Sequence, residues 1–110
     1  MIFYVFLKVN SDSLIGEGTK IGDKALVKRS VIGKNCVIGE KSKITNSILM
    51  DNVKIGEGVV IHGSIICSGS ILYQKSEFKD CLVSFEQDVI TSGKYSNETI
   101  KNVETYIDMD

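Results

Sequence analysis

A period of seventeen residues runs through most of the chain and constrains its fold more than any other feature. It is visible as three columns of apolar residues: Ile15, Ile32, Leu49, Ile66 and Val83; then Ile21, Ile38, Ile55, Leu72 and Val89; then Val27, Ile44, Ile61 and Phe78. Within one period the columns are offset by six, six and five residues, so each repeat traces a triangular coil whose third side is one residue shorter. A fixed period of this kind marks a repeat architecture in which each unit buries its apolar face only by stacking on its neighbours. Each side is expected to be a short β-strand turning one stiff, mostly β-branched side chain inward. Stacked at strand spacing, the columns form continuous apolar ladders while backbone hydrogen bonds run from coil to coil.

The residues between the columns fit tight corners. A small side chain stands two positions before most column residues, as in Thr19, Ala25, Ser42, Ser70 and Ser76. Ser30, Ser47, Ser64 and Cys81 form a seventeen-residue ladder of their own, each preceding an aliphatic residue: Val31, Ile48, Ile65 and Leu82. Ser13-Leu14 extends that ladder back by one coil. Glycine follows the column residue at Gly16, Gly22, Gly33, Gly39 and Gly56, where the turn requires either a positive φ or a close backbone approach, and Gly18 and Gly58 serve similar corners. An antiparallel sandwich also has short strands at regular spacing. Its hairpins, however, call for two-residue turns between alternating runs, and the apolar positions here recur every five or six residues without alternation. The fold expected is all-β: a single-stranded parallel β-helix of about 17 residues per triangular coil.

The repeat is expected to span residues 13–91, flanked by an N-terminal cap or unrelated start at 1–12 and a C-terminal cap or tail at 92–110. Asn10 stands one period before Val27 and breaks the column. Past Val89 the residues from Thr91 to Tyr95 read as a loop around Gly93. Ile100, Val103 and Ile107 are spaced as one face of a short helix, although Thr99, Val103 and Thr105 suit a strand equally.

With 110 residues the chain has room for one core. Its formal net charge of −1 comes from interspersed lysines and carboxylates, with no basic stripe to attract nucleic acid or anionic lipid. The apolar opening from Met1 to Leu7 is too short to span a bilayer and lacks a basic flank or cleavage site. Neither nucleic acid nor a membrane is therefore an expected partner. Cys36, Cys67 and Cys81 are odd in number and lack CxxC spacing, so they read as reduced structural thiols of a cytosolic protein, with no metal and no cofactor expected. Asn97-Glu98-Thr99 fits a glycosylation sequon, which is idle without secretion.

Catalysis would rest on few residues. His62 is the single histidine, follows the inward Ile61 and so points outward. Enzymes on similar β-helices include acyltransferases, commonly homotrimers that use a histidine as general base in a cleft between subunits. That reading also needs an orienting partner and a positioned acceptor, and no long loop interrupts the coils from Ile15 to Val83. An exposed surface histidine is the simpler reading. Cys67 has no base fixed beside it, and Asp23, Glu40 and Glu57 recur at turns as solvated corners.

Several segments carry a closer resemblance. Ser11-Asp12-Ser13-Leu14-Ile15-Gly16, Lys28-Arg29-Ser30-Val31-Ile32-Gly33 and Ile44-Thr45-Asn46-Ser47-Ile48-Leu49-Met50 resemble the C-terminal β-helix of the gamma subunit of eukaryotic translation initiation factor two B, as do Gly63-Ser64-Ile65-Ile66-Cys67 and Lys79-Asp80-Cys81-Leu82. The resemblance runs from Ser11 to about Val83, with Lys28-Arg29 and Lys79-Asp80 as its distinctive outward residues. It implies a left-handed coil, against the usual right-handed crossover. It also implies a noncatalytic scaffold in the cytosolic complex that reloads initiation factor two with GTP. The implied partners are the catalytic epsilon subunit, the other subunits of that complex and, indirectly, initiation factor two. No counterpart of the family's nucleotidyltransferase-like domain precedes the repeat, so nucleotide binding is not expected.

Overall fold

The computed structural model describes residues 12–89 and 92–101, which form a parallel β-solenoid of sixteen very short strands and no helix. Three sheets make its three faces. The first face stacks β1 (Leu14–Ile15), β4 (Val31–Ile32), β7 (Ile48–Leu49), β10 (Ile65–Ile66), β13 (Leu82–Val83) and β16 (Thr99–Ile100). The second stacks β2 (Lys20–Ile21), β5 (Val37–Ile38), β8 (Lys54–Ile55), β11 (Ile71–Leu72) and β14 (Asp88–Val89). The third stacks β3 (Leu26–Lys28), β6 (Lys43–Thr45), β9 (Val60–His62), β12 (Glu77–Lys79) and β15 (Lys94–Ser96).

Every pair is parallel and in seventeen-residue register, as in Ile21↔Ile38 and Ile44↔Ile61. Amides of one coil donate to carbonyls of the next, for example Val37 N to Val53 O at 3.0 Å and Gly39 N to Ile55 O at 2.8 Å. Twelve of the fourteen column residues are buried, while Ile15 and Val89 at the column ends are half-buried. The buried corner positions complete the core with Ala25, Cys36, Val53 and Val59, which the columns alone do not reveal.

The corners use two devices. Gly16, Gly22, Gly33, Gly39 and Gly56 do not take a positive φ; they allow close coil-to-coil approach instead, and a Cβ on Gly39 would strike the Gly56 carbonyl. The left-handed conformation falls two positions further on or at the third corner, and is mostly borne by residues other than glycine. Lys24, Lys41 and Lys75 share one such column with Gly58, and Arg29, Asn46, Asp80 and Asn97 share another with Gly63.

Hydroxyls tie the corner before the first face. Ser47 Oγ accepts the Ser64 amide at 3.1 Å and donates to the Thr45 carbonyl at 2.8 Å. Ser30 and Ser64 repeat the arrangement one coil to either side, and the Cys81 amide continues the series by donating to Ser64 Oγ at 3.0 Å. The sequence ladder of small residues is thus a hydrogen-bonded stack.

The solenoid continues past the expected boundary at residue 91. β15 pairs with β12 and β16 with β13, so Tyr95 and Ile100 stand one period after Phe78 and Val83. Tyr95 stacks on Phe78 with ring centroids 4.8 Å apart and 8° between planes. Ile100 therefore lies in a strand and not on a helical face. The repeat is hard to see here because an aromatic residue takes the aliphatic place and Gln87 and Glu98 stand where the rule calls for small residues. Val103, Ile107 and residues 1–11 of the expected N-terminal cap lie outside the described residues.

Candidate interaction surface

The inward residue of each two-residue strand leaves its neighbour pointing outward, because successive side chains in a strand alternate between faces. The outward residues differ sharply among the three faces. On the second they are Lys20, Val37, Lys54, Ile71 and Asp88. The third is largely polar, with Lys28, Thr45, His62, Lys79 and Ser96 in one of its outward rows. On the first face they are Leu14, Val31, Ile48, Ile65 and Leu82, followed only at the end by Thr99. Their exposures are 69%, 44%, 43%, 39% and 40%, so an unbroken aliphatic ridge faces solvent along five coils. At the strand spacing of about 4.8 Å this ridge is roughly 19 Å long. Contiguous exposed apolar surface marks an interaction site, whereas scattered apolar residues do not.

Polar corners rim the ridge. One rim carries Asp12, Arg29, Asn46, Gly63, Asp80 and Asn97, and the other Glu17, Lys34, Asp51, Ser68 and Phe85. Two of the carboxylates act within the fold: Asp12 accepts the Arg29 amide at 3.0 Å and Asp51 accepts the Lys34 amide at 2.8 Å. At the C-terminal end of the first face a hollow of about 370 Å³ opens between Gly63, Ile65, Asp80, Leu82, Glu98 and Thr99.

His62 lies on the third face, exposed, with Nδ1 2.7 Å from Thr45 Oγ1 one coil earlier. The hydroxyl orients the ring, and the seventeen-residue spacing from 45 to 62 is the sequence signal that pairs them. Lys79 follows His62 in the same outward row. Cys67 sits at the corner after β10 and is buried; burial pushes its thiol above the ordinary value of 9.0, which disfavours the thiolate a nucleophile requires. Burial also pushes up the thiol of Cys36, against smaller opposing hydrogen bonds from the Val53 backbone and Thr19. Cys36, Cys67 and Cys81 are all free. Asp23, Glu40 and Glu57 occupy exposed corners, and among the described residues no group of His, Cys, Asp and Glu could hold a metal ion.

One solved structure, a Bacillus cereus protein provisionally described as an acetyltransferase, is 17% identical over 93% of this chain and 82% of its own, with a TM-score of 0.33. No curated protein matches the chain. The family model for the LbH domain of the EIF2B epsilon subunit matches residues 6–94, so its left-handed β-helix fold applies and the sequence resemblance to the gamma subunit is met at the level of the domain type. The match covers most of the chain and includes all five rungs of the aliphatic ridge, and the chain therefore belongs to the EIF2B-type LbH domain family.

Proposed function

We propose that the chain is a noncatalytic assembly module of the guanine-nucleotide exchange factor for translation initiation factor two, acting in the cytosol by docking the β-helix of the epsilon subunit. The observation that carries this reading is the aliphatic ridge from Leu14 to Leu82 on one face of a domain of the EIF2B type. A homologous solenoid is the suited occupant, because its own rungs repeat at the same strand spacing and can meet the ridge coil for coil. The outward residues Lys28-Arg29 and Lys79-Asp80 support a gamma-like place within the complex.

The His62–Thr45 pair is the one arrangement that favours a second reading, acyl transfer by a homotrimer. A histidine with one oriented nitrogen still needs a substrate cleft, and the third face around it is an exposed ladder.

Affinity purification of the tagged chain from a eukaryotic cytosolic extract tests the proposal. The epsilon subunit and its companions are expected with the wild-type chain and lost with Ile48→Asp, which alters only the ridge. A homotrimer that retrieves no exchange-factor subunit and transfers acyl groups until His62 is replaced by alanine would overturn it.

A further inference from the structure

The same ridge is self-complementary, and we infer that the free chain pairs with a second copy of itself, face to face and antiparallel, with the two-fold axis between Ile48 and Ile65. The inference rests on the ridge named above but not on the identity of the exchange-factor partner. The charges at the rims disfavour a parallel pairing and a register centred on Ile48, and the larger number of facing rungs favours this register over shorter overlaps.

A two-fold axis along the ridge would set the coils side by side in parallel, each rim facing the other rim of the same coil. Arg29 would then meet Lys34, and Asp12 would meet Glu17, two like-charge contacts on each side of the interface. An axis across the ridge at Ile48 would bring Asp12 against Asp80, again like charges. Moving that axis half a coil, to the gap between Ile48 and Ile65, removes both conflicts. Val31 then faces Leu82, Ile48 faces Ile65, and Leu14 faces Thr99 at the ends. On one rim Arg29 meets Asp80 twice by symmetry, Asn46 meets Gly63, and Asp12 meets Asn97. On the other, Lys34 meets Phe85 and Asp51 meets Ser68.

The hollow at the C-terminal end of the face fits this arrangement. At its Gly63 corner the Asp80 carboxylate overhangs the backbone: a Cβ on Gly63 would lie 2.6 Å from Asp80 Oδ1. With Asp80 and Glu98 on its polar side and Ile65 and Leu82 on its apolar side, it suits an arginine, whose methylene stem covers apolar surface while the guanidinium meets carboxylates. In the register above, the second copy's Arg29 arrives at this hollow. Arg29 is exposed on its own coil.

Six rungs at about 4.8 Å and a side of about 16 Å give roughly 400 Å² of plan area per copy. That is small for a specific interface, so dissociation in the micromolar range is expected. A self-pairing of that strength keeps the ridge covered until a tighter partner displaces one copy.

Sedimentation equilibrium of the purified full chain, from about 1 to 500 µM, tests the inference by mass. The wild type is expected to approach twice 12.1 kDa. Arg29→Asp and Asp80→Arg each place like charges at both ends of the interface and are expected to weaken pairing at least tenfold. In an equal mixture of the two variants, the substituted position of one copy faces the substituted position of the other with opposite charge. The native Asp80 of the first copy then faces the native Arg29 of the second, so the mixture is expected to regain the wild-type mass. Positions 29 and 80 both hold left-handed backbone in the native chain, one with an arginine and the other with an aspartate, which makes the exchange conformationally mild. A monomeric wild type, a trimer, or a mixture that stays monomeric would overturn the inference. Because retrieval of exchange-factor subunits is measured separately, a monomeric chain that still captures the epsilon subunit removes the self-pairing and leaves the assembly role standing.

Discussion

Replacing Ser47 with alanine probes the hydroxyl stack that closes successive coils. In the native fold Ser47 is 3% exposed, and its hydroxyl accepts the Ser64 amide at 3.1 Å while donating to the Thr45 carbonyl at 2.8 Å. The carbonyl survives the loss, because the Gly63 amide also donates to it at 3.1 Å. The Ser64 amide has Ser47 Oγ as its acceptor and would be left buried and unsatisfied. An orphaned buried donor costs about 1–3 kcal/mol, and the missing oxygen leaves too small a gap to add much. Since the carbonyl remains bonded, the lower half of that range is expected, about 1–2 kcal/mol. For a chain of this size that corresponds to a fall in Tm of roughly 4–12 °C. The effect is also local, since each coil touches only its neighbours. Amide exchange followed by NMR should therefore show Ser64 losing protection more than amides two coils away. A Ser47→Ala protein with unchanged melting and an equally protected Ser64 amide would refute the claim that these serines hold the stack together.

Three further outcomes rest on the core, the corners and a buried thiol. Ile61→Ala empties a fully buried position between Ile44 and Phe78 and is expected to destabilise by about 2–5 kcal/mol, read from the denaturant midpoint. Lys41→Val places a β-branched residue at φ 62° and should cost about 1–2 kcal/mol in the same titration, whereas Lys43→Val, exposed in β6, should be close to neutral. The Cys36 thiol, raised by burial above 9.0, binds its proton more tightly folded than unfolded. Stability from this group is therefore constant below the unfolded value and falls as pH rises through 9.0 toward the higher folded value; melting curves from about pH 7 to 10 should fall more steeply in the wild type than in Cys36→Ala.

The core is legible in the sequence because burial and period coincide in it. Ile21, Ile38, Ile55 and Leu72 recur every seventeen residues, and a stiff aliphatic at a fixed period leaves few architectures to choose from. Val53 and Val59 are harder to assign, since they share corner columns with Cys36, Ser70, Ser42 and Ser76, where size and not hydrophobicity is the common property. Left-handed corners at Lys41 or Asp80 leave little trace either, because coil-to-coil bonds such as Lys41 N to Asp23 O and Asp80 N to His62 O hold a conformation the residue types do not announce.

The ridge shows what periodicity alone leaves open. Val31, Ile48, Ile65 and Leu82 form a seventeen-residue column as regular as the buried ones, and a period establishes that residues share a row without saying on which side of the wall the row lies. The missing step is the alternation within each strand: once Ile32, Leu49, Ile66 and Val83 are inward, their preceding neighbours must be outward. A chain that spends β-branched and leucine residues on five successive outward positions, while the second face interleaves Lys20, Lys54 and Asp88 with Val37 and Ile71 at the equivalent places, has two different requirements for its walls. Sheet propensity alone would treat the two faces alike. Under the proposed function partner contact supplies the difference, and exchanging Ile48 for lysine, the residue that Lys54 already places on the second face, separates the two requirements. The expected outcome is a chain that melts within about 1 kcal/mol of wild type, as surface changes do, yet no longer docks through its first face. A large loss of stability in Ile48→Lys would refute this division, because it would make the ridge a folding element of the isolated solenoid.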